Sequence, residues 1–137
     1  MKEMYENIAA SLLSCLLFAG CCTSSECCTK VKDDPVYVLC RFDLKQGRDQ
    51  DYVKAVNTIV EQVRAEKGCR FYTLVGDADT DMKGQQRFGT DVLWMIECWD
   101  DLDSLKAHLK APHMKAFAPT ARSIRHTGTF HVLKERK

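Results

Sequence analysis

Two histidines, His108 and His113, lie five residues apart on either side of Pro112. Imidazole is the side chain that changes charge nearest to neutral pH, so a histidine can accept a proton from a weak acid such as a phenol. Proline ends a helix, so we expect His108 near the end of one helix and His113 at the start of the next. The positive end of the second helix would favour a neutral His113. Both histidines are therefore candidate catalytic bases.

The position of His108 on its helix decides what it can contact. Leu102, Leu105 and Leu109 form the expected buried stripe. His108 lies about 60° from Leu105, at roughly 100° per residue, which places it at the edge of that stripe. A side chain there can contact both the core and a cavity. The alternatives are a solvated or capping His108, and a His113 that only binds backbone at the helix break.

The predicted third strand, Val92–Trp99, sets large side chains on alternating faces of a sheet. Glu97 and Trp99 share one face, Trp94 lies on the other, and the pattern does not say which face meets the helices. Trp94 and Trp99 are therefore alternative walls of a substrate pocket. A buried Glu97 needs a counter-charge, and Arg41 in the first strand is the candidate. We expect this pair to be structural first and substrate-orienting second.

Two further aromatic residues are candidates for substrate contact. Tyr72 lies in the predicted second strand and could donate a hydrogen bond to a phenolic oxygen, or only pack. Phe117 shares one face of the second helical piece with Met114 and Ala121. That face is expected to be turned towards the core.

The elements that position these residues follow from hydrophobic periodicity. Apolar residues recur at helical spacing from Tyr52 to Val63, which predicts a helix of about five turns closed by Gly68. Asp100 or Asp101 caps the next helix. The four predicted strands are Val36–Leu44, 70–76, Val92–Trp99 and 129–134.

The order of these elements is β-α-β-β-α-β, the ferredoxin-like arrangement of the α+β class. Both helices cover one face of the sheet in this arrangement, and the other face has no cover within the chain. Strands as apolar as VLWMI are expected to be shielded on both sides. The sequence therefore predicts a homodimer that packs sheet against sheet.

The first part of the chain differs from the rest. Residues 8–20 are mostly apolar or small, and as a helix they would rise about 20 Å, short of the roughly 30 Å core of a bilayer. Phe18-Ala19-Gly20-Cys21 resembles the lipobox of bacterial lipoproteins, which predicts lipidation at Cys21 and a lipid-anchored protein of the cell envelope. A plain secretory leader or an uncleaved anchor is the alternative. The predicted parts are a signal peptide at 1–20, a polar tether at 21–34 and a domain at 35–137.

The remaining cysteines raise the question of disulfides and metal. Cys22, Cys27 and Cys28 lie in the tether, where an exported protein could form one disulfide with a thiol left over. Cys40 and Cys98 fall on adjoining strands, so a disulfide between them is also open. Adjacent cysteines do not match the spacing of common zinc sites, and no metal site is predicted.

The charge balance bears on the partners of the chain. Lys and Arg total 20 against 19 for Asp and Glu, without a long block of either sign in the 137 residues. This balance excludes the basic footprint of a nucleic-acid-binding protein. We expect a small molecule or another protein chain as partner.

Residues 95–117, MIECWDDLDSLKAHLKAPHMKAF, preceded by EKGCRFYTL, resemble the antibiotic biosynthesis monooxygenase family, and most closely its quinol monooxygenase-like members. The resemblance extends in register from Pro35 and is absent from the first thirty or so residues. It implies a dimeric α+β barrel with a pocket between sheet and helices in each subunit. It also implies oxidation of a quinol or related aromatic by molecular oxygen, with no metal, flavin or other cofactor.

Two other functions stay open on the same residues. Some relatives bind or degrade haem, but their iron-ligating histidine falls on Ala118 here and their helix tryptophan on His108. The chain could also be a non-enzymatic envelope lipoprotein that binds a small molecule. Since many functions share this fold, the resemblance does not choose among them.

Overall fold

The computed structural model describes residues 34–137. The predicted signal peptide, the predicted lipidation site Cys21 and the tether cysteines Cys22, Cys27 and Cys28 lie outside these residues. Within the described residues, no helix combines the length and apolar character needed to cross a membrane. The elements are β1 (Val36–Leu44), α1 (Asp49–Asn57), α2 (Val60–Arg64), β2 (Cys69–Val75), β3 (Val92–Trp99), α3 (Leu102–Lys110), α4 (Pro112–Ile124) and β4 (Arg125–Leu133).

The four strands form one antiparallel sheet in the order β2-β3-β1-β4, which confirms the ferredoxin-like α+β arrangement. The bounds predicted for β1 and β3 are confirmed to the residue, because both runs are rich in β-branched and aromatic side chains. β2 begins one residue earlier than predicted. β4 begins at Arg125 because it pairs along the length of β1, from Leu44 to Tyr37.

Alternation along the strands separates a helix-covered face from an outer face. Val38 and Met95 point towards the helices and are buried, as is Trp99 at the end of β3. The outer face carries large apolar side chains that stay exposed in the described chain: Tyr37, Phe71, Ile96 and Leu133. The helices thus cover one face of the sheet apart from Phe130 and Val132 on β4, and the described residues leave the other face open.

The first predicted helix is wrong in one respect, because it is two helices rather than one. Thr58 ends α1 by donating from both its backbone N–H and its hydroxyl to the carbonyl oxygen of Ala55, at 3.2 and 2.7 Å. These bonds reach back three residues instead of four and tighten the turn. The apolar periodicity continues across the break, since Val56 and Val63 are both buried.

The break between the last two helices is where the sequence places it. Asp101 caps α3, and its carboxylate accepts hydrogen bonds from the backbone N–H of Ser104 at 2.7 Å and from its hydroxyl at 2.8 Å. Ala111 is extended, and Pro112 begins α4, where its missing N–H costs nothing. His108 and His113 therefore lie on consecutive helices that meet at an angle.

Candidate active site

A cavity of about 340 Å³ lies between the helix-covered face of the sheet and helices α1, α3 and α4. Most of its wall is apolar, which suits an aromatic ligand. The polar and ionisable side chains on its wall are few, and each has a fixed place. They are Cys40, Tyr52, Tyr72, Glu97, His108 and Arg125.

His108 is buried in the wall of this cavity, with only 1% of the residue exposed. Its ring lies 4.6 Å from the ring of Trp99, centroid to centroid, and meets the ring of Tyr72 edge-on at 5.7 Å. Nδ1 lies 2.9 Å from Oε1 of Glu66. A neutral imidazole that donates a hydrogen bond from Nδ1–H to this carboxylate has an unprotonated Nε2, which can accept a proton.

The predicted stripe on α3 is wrong, because Leu105 and His108 are its buried residues. Leu102 is 43% exposed and Leu109 is 54% exposed. Leu109 lies on the wall of the open cavity, which leaves its side chain uncovered. His108 is thus at the centre of the inward face rather than at its edge, and it is neither a solvated nor a capping residue.

Glu66 joins the two histidines. Its Oε1 atom lies 2.9 Å from Nδ1 of His108 and 2.8 Å from Nε2 of His113. His113 is 19% exposed at its side chain and lines a surface groove between α1 and α4 instead of the cavity. The carboxylate therefore fixes one imidazole on the cavity wall and a second one near the surface.

A tight turn holds Glu66 in this position. Gly68, two residues later, has φ +85° and accepts a hydrogen bond from the N–H of Asp100 at 2.8 Å. A Cβ at Gly68 would lie 2.3 Å from Oγ of Ser104, so only glycine lets the turn pack against the first turn of α3. Gly68 is thus a packing residue of this turn and does not close α2, which ends at Arg64.

Glu97 is the second carboxylate of the site and is 6% exposed. Its Oε2 accepts a hydrogen bond from Nε1 of Trp99 at 2.9 Å, and its Oε1 accepts a weaker one from the thiol of Cys40 at 3.8 Å. Burial raises the pKa of Glu97 above its usual value, and the bond from Trp99 acts against that rise. Burial beside this carboxylate also raises the pKa of Cys40 to about 12, so the thiol stays protonated.

Residues 35–120 match the sequence profile of the family "Antibiotic biosynthesis monooxygenase", or ABM. The chain belongs to the ABM family. The "Probable quinol monooxygenase YgiN" of Escherichia coli (strain K12) is 38% identical over 60 residues, which are 44% of this chain and 57% of YgiN. The chain thus matches little more than half the length of this curated relative.

Solved structures share the fold of this ABM chain. PA3566 from Pseudomonas aeruginosa superposes with a TM-score of 0.63 and 21% identity, over 76% of this chain and 96% of its own. SnoaB from Streptomyces nogalater, described as a cofactor-independent oxygenase, gives a TM-score of 0.61 and 19% identity, over 76% and 95%. At these identities the likeness concerns the fold alone.

The predicted pair between Arg41 and Glu97 is wrong, because the two residues lie on opposite faces of the sheet. Arg41 faces outward in register with Trp94, whereas Glu97 stands in register with Val38. The guanidinium of Arg41 binds the carboxylate of Asp43 at 2.8 Å. No substrate contact inside the cavity is open to Arg41.

Neither tryptophan forms a wall of the cavity in this ABM chain. Trp94 lies on the outer face, where the guanidinium of Arg41 is 5.8 Å from its ring and Phe88 packs against it. Trp99 is fully buried behind Glu97 and His108, and it supports both of them. Tyr72 and Phe117 do line the cavity, as a substrate-binding role requires. Burial raises the pKa of Tyr72, which keeps its hydroxyl a hydrogen-bond donor.

The disulfide that the sequence left open between Cys40 and Cys98 is excluded. Cys40 is in register with Met95 on the helix-covered face, and Cys98 is in register with Tyr37 on the outer face. Side chains that point to opposite faces of a sheet cannot be bridged.

Among the described residues, one group could hold a metal ion: Glu66, His108 and His113. One ligand atom from each of these three residues lies within 4.8 Å of the others. Two imidazoles and one carboxylate suit zinc or ferrous iron. The present distances of 2.8 and 2.9 Å are those of hydrogen bonds. Ala118 lies on the cavity wall and offers no ligand for haem iron.

Proposed function

We propose that this ABM chain is a monooxygenase that oxidises a quinol or a related aromatic with molecular oxygen, without metal or flavin. The observation that carries the proposal is His108, buried in the wall of an apolar cavity with Nδ1 bound to Glu66. The similarity to YgiN, which is described as a quinol monooxygenase, supports the same class of substrate.

In the proposed reaction, Nε2 of His108 takes a proton from a hydroxyl of the substrate. The imidazolium that forms donates a hydrogen bond from Nδ1–H to the carboxylate of Glu66, and the carboxylate stabilises the new positive charge. The second hydrogen bond, from His113, holds Glu66 in place. His113 thereby acts as a positioning residue rather than as a second base.

The phenolate then reduces oxygen. One electron passes to oxygen, and the resulting superoxide joins the substrate radical to give a peroxide at a ring carbon. The proton returns from His108 to the peroxide and gives a hydroperoxide. The ring carbon then loses its own C–H proton as the O–O bond breaks, this proton and the departing hydroxide form water, and tautomerisation leaves a hydroxylated quinone. One oxygen atom enters the product and one enters water, and the quinol supplies all four electrons. The apolar wall of the cavity limits the access of water to these intermediates.

Tyr72 and Phe117 contact the substrate in this proposal. The Tyr72 hydroxyl donates a hydrogen bond to a quinol oxygen, and Phe117 packs against the ring. Glu97 orients the substrate from the floor of the cavity, where Trp99 and Cys40 hold its carboxylate.

We also propose that the outer face of the sheet pairs with a second copy of the chain. Exposed Tyr37, Phe71, Ile96 and Leu133 give this face the apolar character of a homodimer interface. A symmetric dimer covers the face in both copies at once. It leaves the cavities on the opposite sides of the two sheets.

The place of action in the cell is proposed from the sequence alone. Lipidation of Cys21 would anchor the domain to a membrane of the cell envelope, where quinols dissolve. Mass spectrometry of the full chain expressed in a bacterium tests this. A diacylglyceryl group on Cys21 supports it, and an unmodified Cys21 in the membrane fraction contradicts it.

Oxygen uptake with a naphthalene diol tests the activity. We expect consumption of one oxygen per diol, a product heavier by one oxygen atom minus two hydrogens, and unchanged turnover after dialysis against EDTA. Uptake that EDTA abolishes and ferrous iron restores would assign Glu66, His108 and His113 to a metal and contradict the cofactor-free reaction. Tight binding of the diol without uptake would leave a non-enzymatic binding protein.

A further inference from the structure

Arg125, the first residue of β4, brings a positive charge to the cavity. It lines the cavity wall and is half-buried, with its guanidinium 5.3 Å from the centre of the Phe42 ring. No carboxylate of the described residues lies within ion-pair distance of it. Five other arginines of the described chain do have carboxylate partners: Arg41, Arg48, Arg64, Arg70 and Arg87.

The backbone beside Arg125 leaves room for its guanidinium. A Cβ at Gly128 would lie 2.6 Å from Nη1 and 2.9 Å from Cζ of Arg125. The charge acts on the cavity, because it opposes the rise that burial causes in the pKa of Cys40 and of Tyr52. Arg125 lies in an apolar cavity and has no carboxylate partner among the described residues. Such an arginine is suited to bind an anionic ligand.

Arg125 lies at the other end of the cavity from the proposed base. Its guanidinium stands over Phe42, four residues along β1 from Val38, and Val38 is in register with Glu97. Tyr72, which touches His108, is also in register with Glu97. Four residues of strand span about 13 Å at roughly 3.3 Å each. A ligand that reaches both ends therefore needs about the length of a substituted bicyclic aromatic.

We infer that Arg125 binds a carboxylate of the substrate, so that the substrate is a bicyclic aromatic acid with its reactive hydroxyl at the far end from the acid. A guanidinium binds a carboxylate through two parallel hydrogen bonds, and the low polarity of the cavity strengthens the pair. This inference rests on the proposed function only in placing the reactive hydroxyl of the substrate next to His108. Binding of the acid itself does not require turnover.

Isothermal titration calorimetry with 6-hydroxy-2-naphthoate and its methyl ester tests the inference. The ester keeps the ring and the hydroxyl and removes the charge. We expect the acid to bind the wild-type chain at least tenfold more tightly than the ester. Arg125→Gln should lose this preference while binding the ester as before, and Arg125→Lys should keep part of it. Arg48→Gln is the matched control, because Arg48 is exposed and pairs with Asp51.

Several results would overturn the inference. These are equal binding of acid and ester by the wild-type chain, no binding of either, or a loss of affinity for both in Arg125→Gln. Melting temperatures show whether the Gln variant is folded, and the Lys variant repeats the comparison with the positive charge kept. Neither probe is a quinol, so their binding is measured separately from turnover. A chain that binds the acid through Arg125 but consumes no oxygen with the naphthalene diol would contradict the proposed oxygenase and not the anion site.

Discussion

The two faces of the sheet carry their polar groups in different ways. On the helix-covered face, Glu97 is buried and held by Trp99 and Cys40. On the outer face, Arg41 and Asp43 pair with about two fifths of each side chain exposed, among apolar residues that have no cover. A buried carboxylate is costly and is kept where chemistry needs it, whereas an exposed pair contributes little to stability. This difference is the basis for proposing the reaction on one face and assembly on the other.

The largest effect should come from the helix-covered face. His108→Ala removes the proposed base, so we expect oxygen uptake to fall at least a hundredfold, as is usual for the loss of a general base. Steady-state kinetics with the diol measure this, with His126→Ala as control, because His126 is exposed and outside the cavity. Full activity in a folded His108→Ala chain would remove the basis of the proposed reaction.

A charge on the outer face should break assembly and leave the cavity intact. Ile96→Glu sets a carboxylate in the proposed interface, where a second copy would have to bury it unpaired in the symmetric dimer. Light scattering after gel filtration should give the monomer mass for Ile96→Glu. The matched control is Leu102→Glu, because Leu102 is similarly exposed but lies on α3. A wild-type monomer, or a dimer that survives Ile96→Glu, would contradict this interface.

Removing the charge of Glu66 should have a moderate effect. Glu66→Gln keeps the shape but no longer stabilises an imidazolium at His108, so we expect kcat to fall about tenfold, the equivalent of roughly 1.4 kcal/mol. Glu61→Gln is the control, since Glu61 is exposed and its ion-pair partner among the described residues is Arg64. Equal kcat values in the two variants would show that Glu66 only holds the fold.

The pH dependence of stability should separate buried from exposed carboxylates. The pKa of Glu97 is raised by burial, so its carboxyl group stays protonated to higher pH in the folded chain than in the unfolded chain. Glu97 therefore lowers the free energy of unfolding as pH rises above the usual value of 4.5. Urea unfolding from pH 4 to pH 8 should show a smaller decline in Glu97→Gln than in the wild type.

Asp101 supplies the control of opposite sign. Its pKa is lowered by hydrogen bonds from Ser104, so its contribution is present above the usual value of 3.8 and is lost as pH falls. Asp101→Asn should therefore leave the decline between pH 4 and pH 8 as in the wild type and change the pH dependence only near and below the usual value of 3.8, which the same measurement at lower pH shows. A Glu97→Gln chain whose decline matches that of the wild type would show that Glu97 is not a buried charge.

Local signals predicted the parts of the fold that depend on neighbouring residues. The apolar runs fix β1 and β3, Asp101 caps α3, and Pro112 separates α3 from α4. The break in the first helix was missed because the apolar spacing continues across Thr58. Propensity and capping act within a few residues, so the sequence carries this information directly.

The sequence by itself determined the order of the elements, the resemblance to the ABM family and the choice of His108 and His113 as candidate bases. Only the tertiary structure decided which face of β3 is buried, which removed Arg41 and Trp94 from the site, and which residues surround His108. Glu66 and Arg125 were missed for one reason. Glu66 is 42 residues from His108 and 47 from His113 along the chain, and no local pattern encodes contacts that packing alone brings together.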